Sequence, residues 1–105
     1  MTRGVSVVVP AYNEERAIEC CLGELQTALA SVDRDCELIV VDDGSSDRTG
    51  ELAEKAGARV IALPENRGYG AALKAGVAAA RYDTIAITDA DGTYPASSSG
   101  SALAG

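Results

Sequence analysis

The chain has 105 residues, nine basic and 16 acidic side chains, no histidine and a net charge of -7. That length predicts one small domain, and a hydrophobic fraction of 47% supplies a core and excludes wholesale disorder. Ser-His-Asp and Cys-His catalysis and His-ligated zinc are excluded by composition, and the acidic balance excludes non-specific nucleic-acid binding.

The first predicted element is a strand, Val5-Ser6-Val7-Val8-Val9, a near-continuous apolar run ended by Pro10. From Glu14 to Ala30, apolar Ile18, Cys21, Leu22, Leu25, Ala28 and Leu29 recur at helical steps. Glu37 to Val41 reads as a second strand and Asp42 to Asp47 as a polar turn, with Ser46 or Asp47 placed to cap a helix from Thr49 to Ala56. Arg59 to Leu63 is a third strand. A small-residue helix follows from Tyr69 to Arg81, burying Ala72, Leu73, Gly76, Val77 and Ala80. Thr84 to Thr88 is the fourth strand. The order βαβαβαβ predicts an α/β fold, an open parallel sheet with helices on both faces.

Residues 1–95 form the predicted domain. Residues 96–105 carry no charge and one large apolar residue, the composition of a flexible Ser/Ala/Gly tail. The outer edge of the fourth strand is expected to lie open, inviting self-association. Cys20, Cys21 and Cys36, odd in number, read as reduced thiols serving as small core hydrophobes. No run approaches the ~18 apolar residues of a membrane span and no signal peptide precedes the first strand. A soluble, cytoplasmic chain is therefore expected.

Ligands of open parallel sheets bind beyond the carboxyl ends of the strands. Three acidic segments fall on that rim: Pro10 to Glu14, Asp42 to Asp47, and Asp89-Ala90-Asp91. Each acid alone has a structural explanation as turn former, helix cap or dipole partner. Together they crowd carboxylates on one edge, which a divalent cation relieves, and an oxygen-only donor set selects Mg²⁺ or Mn²⁺ over zinc. A calcium loop counted from Asp89 fails, because Tyr94 and Gly100 stand where glycine and glutamate are needed. Gly68-Tyr69-Gly70 imitates a dinucleotide fingerprint, but it follows the third strand and Leu73 replaces the last glycine. Its small residues read mainly as packing positions, with Arg67 and Lys74 the only basic groups nearby.

Four segments then act together: Val7 to Glu14, Val40 to Asp47, Asn66 to Ala72 and Asp89 to Gly92. In order and spacing they resemble family 2 glycosyltransferases of the GT-A fold, and within them the dolichyl- and polyprenyl-phosphate sugar synthases. The resemblance covers about residues 4 to 95. It implies an inverting hexosyltransferase that uses a GDP- or UDP-sugar, Mg²⁺ or Mn²⁺, and a polyprenyl-phosphate acceptor. It implies that Pro10, Tyr12 and Glu14 line the nucleotide pocket, with Tyr12 on the base or ribose. Val41 and Asp43 would contact the base. Asp89 and Asp91 would be the DxD pair, Asp89 near the sugar and Asp91 on the metal, with Ala90 touching the nucleotide through its backbone.

Thr93 stands where many relatives carry a glutamine. The family's acceptor half is expected beyond residue 95, so the chain is expected to hold only the donor-binding half, to be inactive alone, and to act at the cytoplasmic face of a membrane in a longer parent. Two other readings compete. A nucleotidyltransferase would place a Gly-rich basic loop after strand one, where Pro10 to Glu14 has no glycine. An inactive nucleotide-binding or interaction module, such as a flavodoxin-like signalling domain with an acidic pocket, would need a phosphorylatable Asp ending a middle strand and a buried Lys ending the last. Titration of UDP- and GDP-sugars with and without Mn²⁺ separates the readings.

Overall fold

A computed structural model describes residues 4–32, 34–89 and the backbone of 103–104. The elements run β1 (Gly4–Ala11), α1 (Ile18–Ala30), β2 (Asp35–Asp42), α2 (Thr49–Lys55), β3 (Arg59–Ala62), α3 (Tyr69–Ala79), β4 (Thr84–Ile87) and β5 (Leu103–Ala104). The sheet order is β3-β2-β1-β4-β5. The first four strands are mutually parallel, as expected, and β5 joins β4 antiparallel.

β1 lies in the middle, so its side chains are buried on both faces. Val5, Val7 and Val9 join Ile18, Leu22 and Leu25 of α1 and Ala53 of α2 in one core layer. Val8 points to the other face, where it meets Ile39, Val41 and Ala72 of α3. Each fully buried valine or leucine contributes about 1.5–3 kcal/mol. α3 itself is poor in large side chains and compensates by lying close to the sheet. A Cβ added at Gly76 would come within 2.4 Å of Val8 and 3.1 Å of Val41. Val77, expected inward, is instead 47% exposed. Cys20 is exposed as well, whereas Cys21 is in the core, and none of the three cysteines forms a disulfide.

Two boundaries differ from expectation for a physical reason. Helix α1 starts at Ile18 rather than Glu14, because the N–H groups of Asn13, Glu14 and Glu15 donate to side chains of the β2–α2 loop and of Thr49 at the start of α2. That segment follows the loop instead of the helix axis. β1 also continues through Pro10 to Ala11, paired with β2 throughout. Val8 accepts from the Thr88 N–H and Ala11 from the Asp43 N–H, so even positions face β4 and odd ones β2. The donor that proline lacks therefore faces β4, where pairing stops at Val8 and Ile87. Pro10 costs no bond to β2 and lets β1 and β4 part.

The expected open edge of β4 needs correction at two positions. Leu103 and Ala104 pair with Ala86 and Ile85, so backbone groups that would invite another chain are partly satisfied there. The rest of the expected tail, 96–102 and 105, lies outside the described residues. Among the described residues no helix is long and apolar enough to cross a membrane.

At the opposite end of the sheet, Glu37 ties three strands together. Its carboxylate accepts from the buried Ser6 hydroxyl at 2.6 Å and from the Arg81 N–H at 2.6 Å, with Arg59 at 3.5 Å. Ser6 in turn accepts from the Tyr82 N–H at 3.1 Å. Burial pushes the Glu37 carboxyl up, but the Ser6 and Arg81 hydrogen bonds and the charges of Arg81 and Arg59 outweigh it and hold the group below its ordinary 4.5. A depressed folded value means stability that is full above the unfolded value and lost as pH falls through the folded one. We therefore expect the melting temperature to drop below about pH 4.3, with part of that drop abolished in Glu37→Gln. Thermal denaturation at pH 7 and pH 3 measures it; an equal drop in both proteins would remove Glu37 from the account.

Candidate donor-binding cleft

Where β1 and β4 part, the chain also changes direction. α1 carries it from β1 to β2 on one side, and α3 returns it to β4 on the other, leaving a crevice at the carboxyl ends. A cleft of about 290 Å³ opens there. Its floor is Pro10 and Ala11, with Ala72 of α3. Tyr12 and Glu14 come from the loop after β1, Asp43 from the loop after β2, Asn66 and Gly68 from the loop after β3, Tyr69 from the first position of α3, and Asp89 from the segment after β4.

Of the residues expected at the site, Pro10, Tyr12, Glu14, Asp43 and Asp89 line this cleft. Val41 does not: it is 0% exposed and packs beneath α3, so its side chain is part of the core. Ala90 and Asp91 lie outside the described residues. Sequence reasoning gave no ligand role to Asn66 or Tyr69. Tyr69 is 57% exposed and Tyr12 is 48% exposed, so both rims of the cleft present an aromatic ring to solvent. The glycines flanking Tyr69 were a usable signal, since a large ring between two small residues at a helix start has no core to fill.

Asp43 is 4% exposed and is occupied by the loop after β3. One oxygen accepts from the Arg67 N–H at 2.8 Å; the other accepts from the Gly68 N–H at 2.9 Å and from the Asn66 amide at 3.2 Å. Asn66 also donates to the Asp43 carbonyl at 3.2 Å. The carboxylate thus holds the start of α3 in place, with three of its about four acceptor sites used.

The loops after β1 and β2 are stitched together in the same manner. Asn13, at a φ of 51°, donates its N–H to Ser45 at 2.9 Å and accepts from the Ser46 N–H at 2.8 Å. Glu15 accepts from the Arg48 N–H at 3.1 Å and donates its own N–H to Asp47 at 3.2 Å. Asp47 also accepts from the Thr49 N–H at 2.9 Å. Burial raises its carboxyl, but the bonds from the Thr49 hydroxyl and N–H and the Glu15 N–H prevail and hold it low. Asp42 accepts from the Ser45 N–H at 3.0 Å. Asp42 and Asp47 are therefore a turn former and a loop tie.

Chemically, the cleft is lined by the acids Glu14, Asp43 and Asp89, and no Lys or Arg lines it among the described residues. With Asp43 bound to backbone, Asp89 is the carboxylate at the β4 side, its carbonyl accepting from the Cys21 thiol at 3.5 Å. No group of three Asp, Glu or Cys side chains gathers around one point among the described residues. One or two carboxylates nevertheless fit Mg²⁺ or Mn²⁺, which take their remaining oxygens from phosphate and water.

Comparison with known proteins agrees with this geometry. The family model described as glycosyl transferase family 2 matches residues 6–103. Undecaprenyl-phosphate 4-deoxy-4-formamido-L-arabinose transferase of Pseudomonas paraeruginosa is 44% identical over 93 residues, covering 83% of this chain and 27% of that protein. Dolichyl-phosphate beta-glucosyltransferase of Mus musculus is 43% identical over 103 aligned residues, covering 87% and 32%. The crystal structure of glucosyl-3-phosphoglycerate synthase from Mycobacterium tuberculosis, in complex with Mn²⁺, uridine diphosphate and glucosyl-3-phosphoglycerate, superposes with a TM-score of 0.71 at 38% identity. It covers 84% of this chain and 33% of that one. The chain thus spans about a third or less of the length of these relatives. A switch-point cleft with acids on three of its loops, on a chain matched almost end to end, belongs to glycosyl transferase family 2.

Proposed function

We propose that these 105 residues bind a nucleoside-diphosphate sugar, UDP- or GDP-linked, together with Mg²⁺ or Mn²⁺. The sugar would be a hexose passed, with inversion, to a polyprenyl phosphate at a membrane face. The observation that carries the reading is the sign of the cleft: three acids and no basic side chain among its described lining. A diphosphate entering such a site alone is repelled, whereas one carrying a divalent cation is attracted. Asp89 would hold the ion with Asp91, and the ion would offset charge on the departing diphosphate. Tyr12 and Tyr69 offer ring faces to a base, and Asp43 would offer its remaining acceptor site to a ring N–H. The relatives named above act on undecaprenyl- and dolichyl-phosphate by name, which supports the lipid phosphate as acceptor.

Calorimetric titration with UDP and GDP, with Mn²⁺ and with a chelator, tests the reading. We expect binding in Mn²⁺, at least a tenfold loss in chelator, and a similar loss in Asp89→Asn and Asp91→Asn at unchanged melting temperature, as expected for loss of a charge-assisted contact of about 1.5–3 kcal/mol. Affinity indifferent to both metal and these acids would refute it. Since the chain spans about a third of its relatives, we expect binding without sugar transfer from the 105 residues alone.

A further inference from the structure

We propose that Thr49 is a positioning residue for the cleft, holding the Glu14 backbone, and with it Tyr12 and Glu14, in the place a nucleotide requires. The proposal rests on the donor-binding reading above. Thr49 is the first residue of α2, does not line the cleft and is 0% exposed. Its hydroxyl accepts from the Glu14 N–H at 2.8 Å and donates to Asp47. It is therefore used at both ends, with its proton directed to Asp47 and its lone pair to Glu14.

The other ties between these loops run through Asn13, Ser45, Ser46, Asp47 and Glu15, whose bonds are exposed and compete with water. The Thr49 hydroxyl is wholly buried and its bond to Glu14 is part-buried, so water competes with it less, and losing it takes the side-chain acceptor away from the Glu14 N–H. Among these ties Thr49 thus dominates the placement of residue 14. Because Tyr12 and Glu14 flank Asn13, a shift at the Glu14 N–H moves two cleft-lining side chains at once.

Three variants of the 105-residue chain test this. Thr49→Val keeps the shape and removes the hydroxyl, and Thr49→Ser keeps the hydroxyl. We expect Thr49→Val to weaken Mn²⁺-dependent UDP or GDP affinity about tenfold and to speed amide exchange at Glu14 in the folded protein by a similar factor. Thr49→Ser should stay within about twofold of the parent on both, since the hydroxyl is retained. If Thr49→Val fails to fold, Thr49→Cys, of similar volume but with a poorer acceptor, carries the same two measurements. Faster exchange with unchanged affinity would make Thr49 merely structural and overturn the proposal, as would no change in either. A parent chain that binds neither nucleotide would overturn the donor-binding reading and the ligand role of Thr49 with it. The exchange rates would still report on the Thr49–Glu14 bond, so the two failures are told apart.

Discussion

Asp43→Ala is expected to lower the unfolding free energy by about 2–5 kcal/mol and to remove measurable nucleotide binding. The carboxylate is almost wholly buried and accepts from the backbone of Arg67 and Gly68 and from the Asn66 amide. Truncation leaves two backbone donors without partners, at roughly 1–3 kcal/mol each where water cannot replace the carboxylate. The same loss frees the loop that carries Gly68 and Tyr69 to the cleft, so ligand affinity falls with stability. Asp43→Asn is not a rescue, because its amide nitrogen would meet an N–H on one side. Urea denaturation and nucleotide calorimetry measure the two effects; a mutant with parental stability would show that the Asp43 bonds are replaceable by water.

Gly44→Ala is expected to be as damaging, by a different route. Gly44 has a φ of 73°, and a Cβ there would lie 2.4 Å from the Asn66 nitrogen and 2.4 Å from the Glu65 carbonyl carbon. Both neighbours are backbone, so no rotamer change relieves the contact. Left-handed strain of about 1–3 kcal/mol adds to overpacking of about 1–3 kcal/mol. The loop after β2 must then withdraw from the loop after β3, which breaks the Asp43 bonds next to it. A urea midpoint within error of the parent's would refute this expectation.

Periodicity located all four parallel strands and all three helices, because β1 is apolar on both faces and α1 carries a clear stripe. What it missed was set by contacts between segments distant in sequence. The delayed start of α1 depends on Ser45, Asp47 and Thr49, about thirty residues away. Val77 reads as apolar and in phase, yet the face of α3 buried against the sheet is centred on Ala72 and Gly76, and Val77, about 100° of helix rotation past Gly76, is left exposed. Of the site, the acids at strand ends were legible because a parallel sheet delivers them to one rim. The division of labour among them was not. Both Asp43 and Asp89 line the cleft, and composition does not show that Asp43 is the one whose carboxylate is taken up by backbone N–H groups. Val41 occupies its motif position from the core side, its side chain packed under α3 and not lining the cleft.

The side-chain ties among the loops after β1, β2 and β3 also bear on the entropy of ligand capture. Restricting one backbone residue costs roughly 1–2 kcal/mol. For residues 13–15, 44–48 and 66–68, that cost is incurred when the chain folds, since their own side chains and N–H groups hold them. A ligand arriving at these three walls orders little, and the contact energy it gains there goes into affinity. The wall at Asp89 is held differently, by pairing of β4 with β1 up to Val8 and Ile87, by the Thr88 N–H on Val8 and by the Cys21 thiol on the Asp89 carbonyl. Three sides of the cleft are thus held by side-chain ties between loops, and the fourth by the backbone of β4.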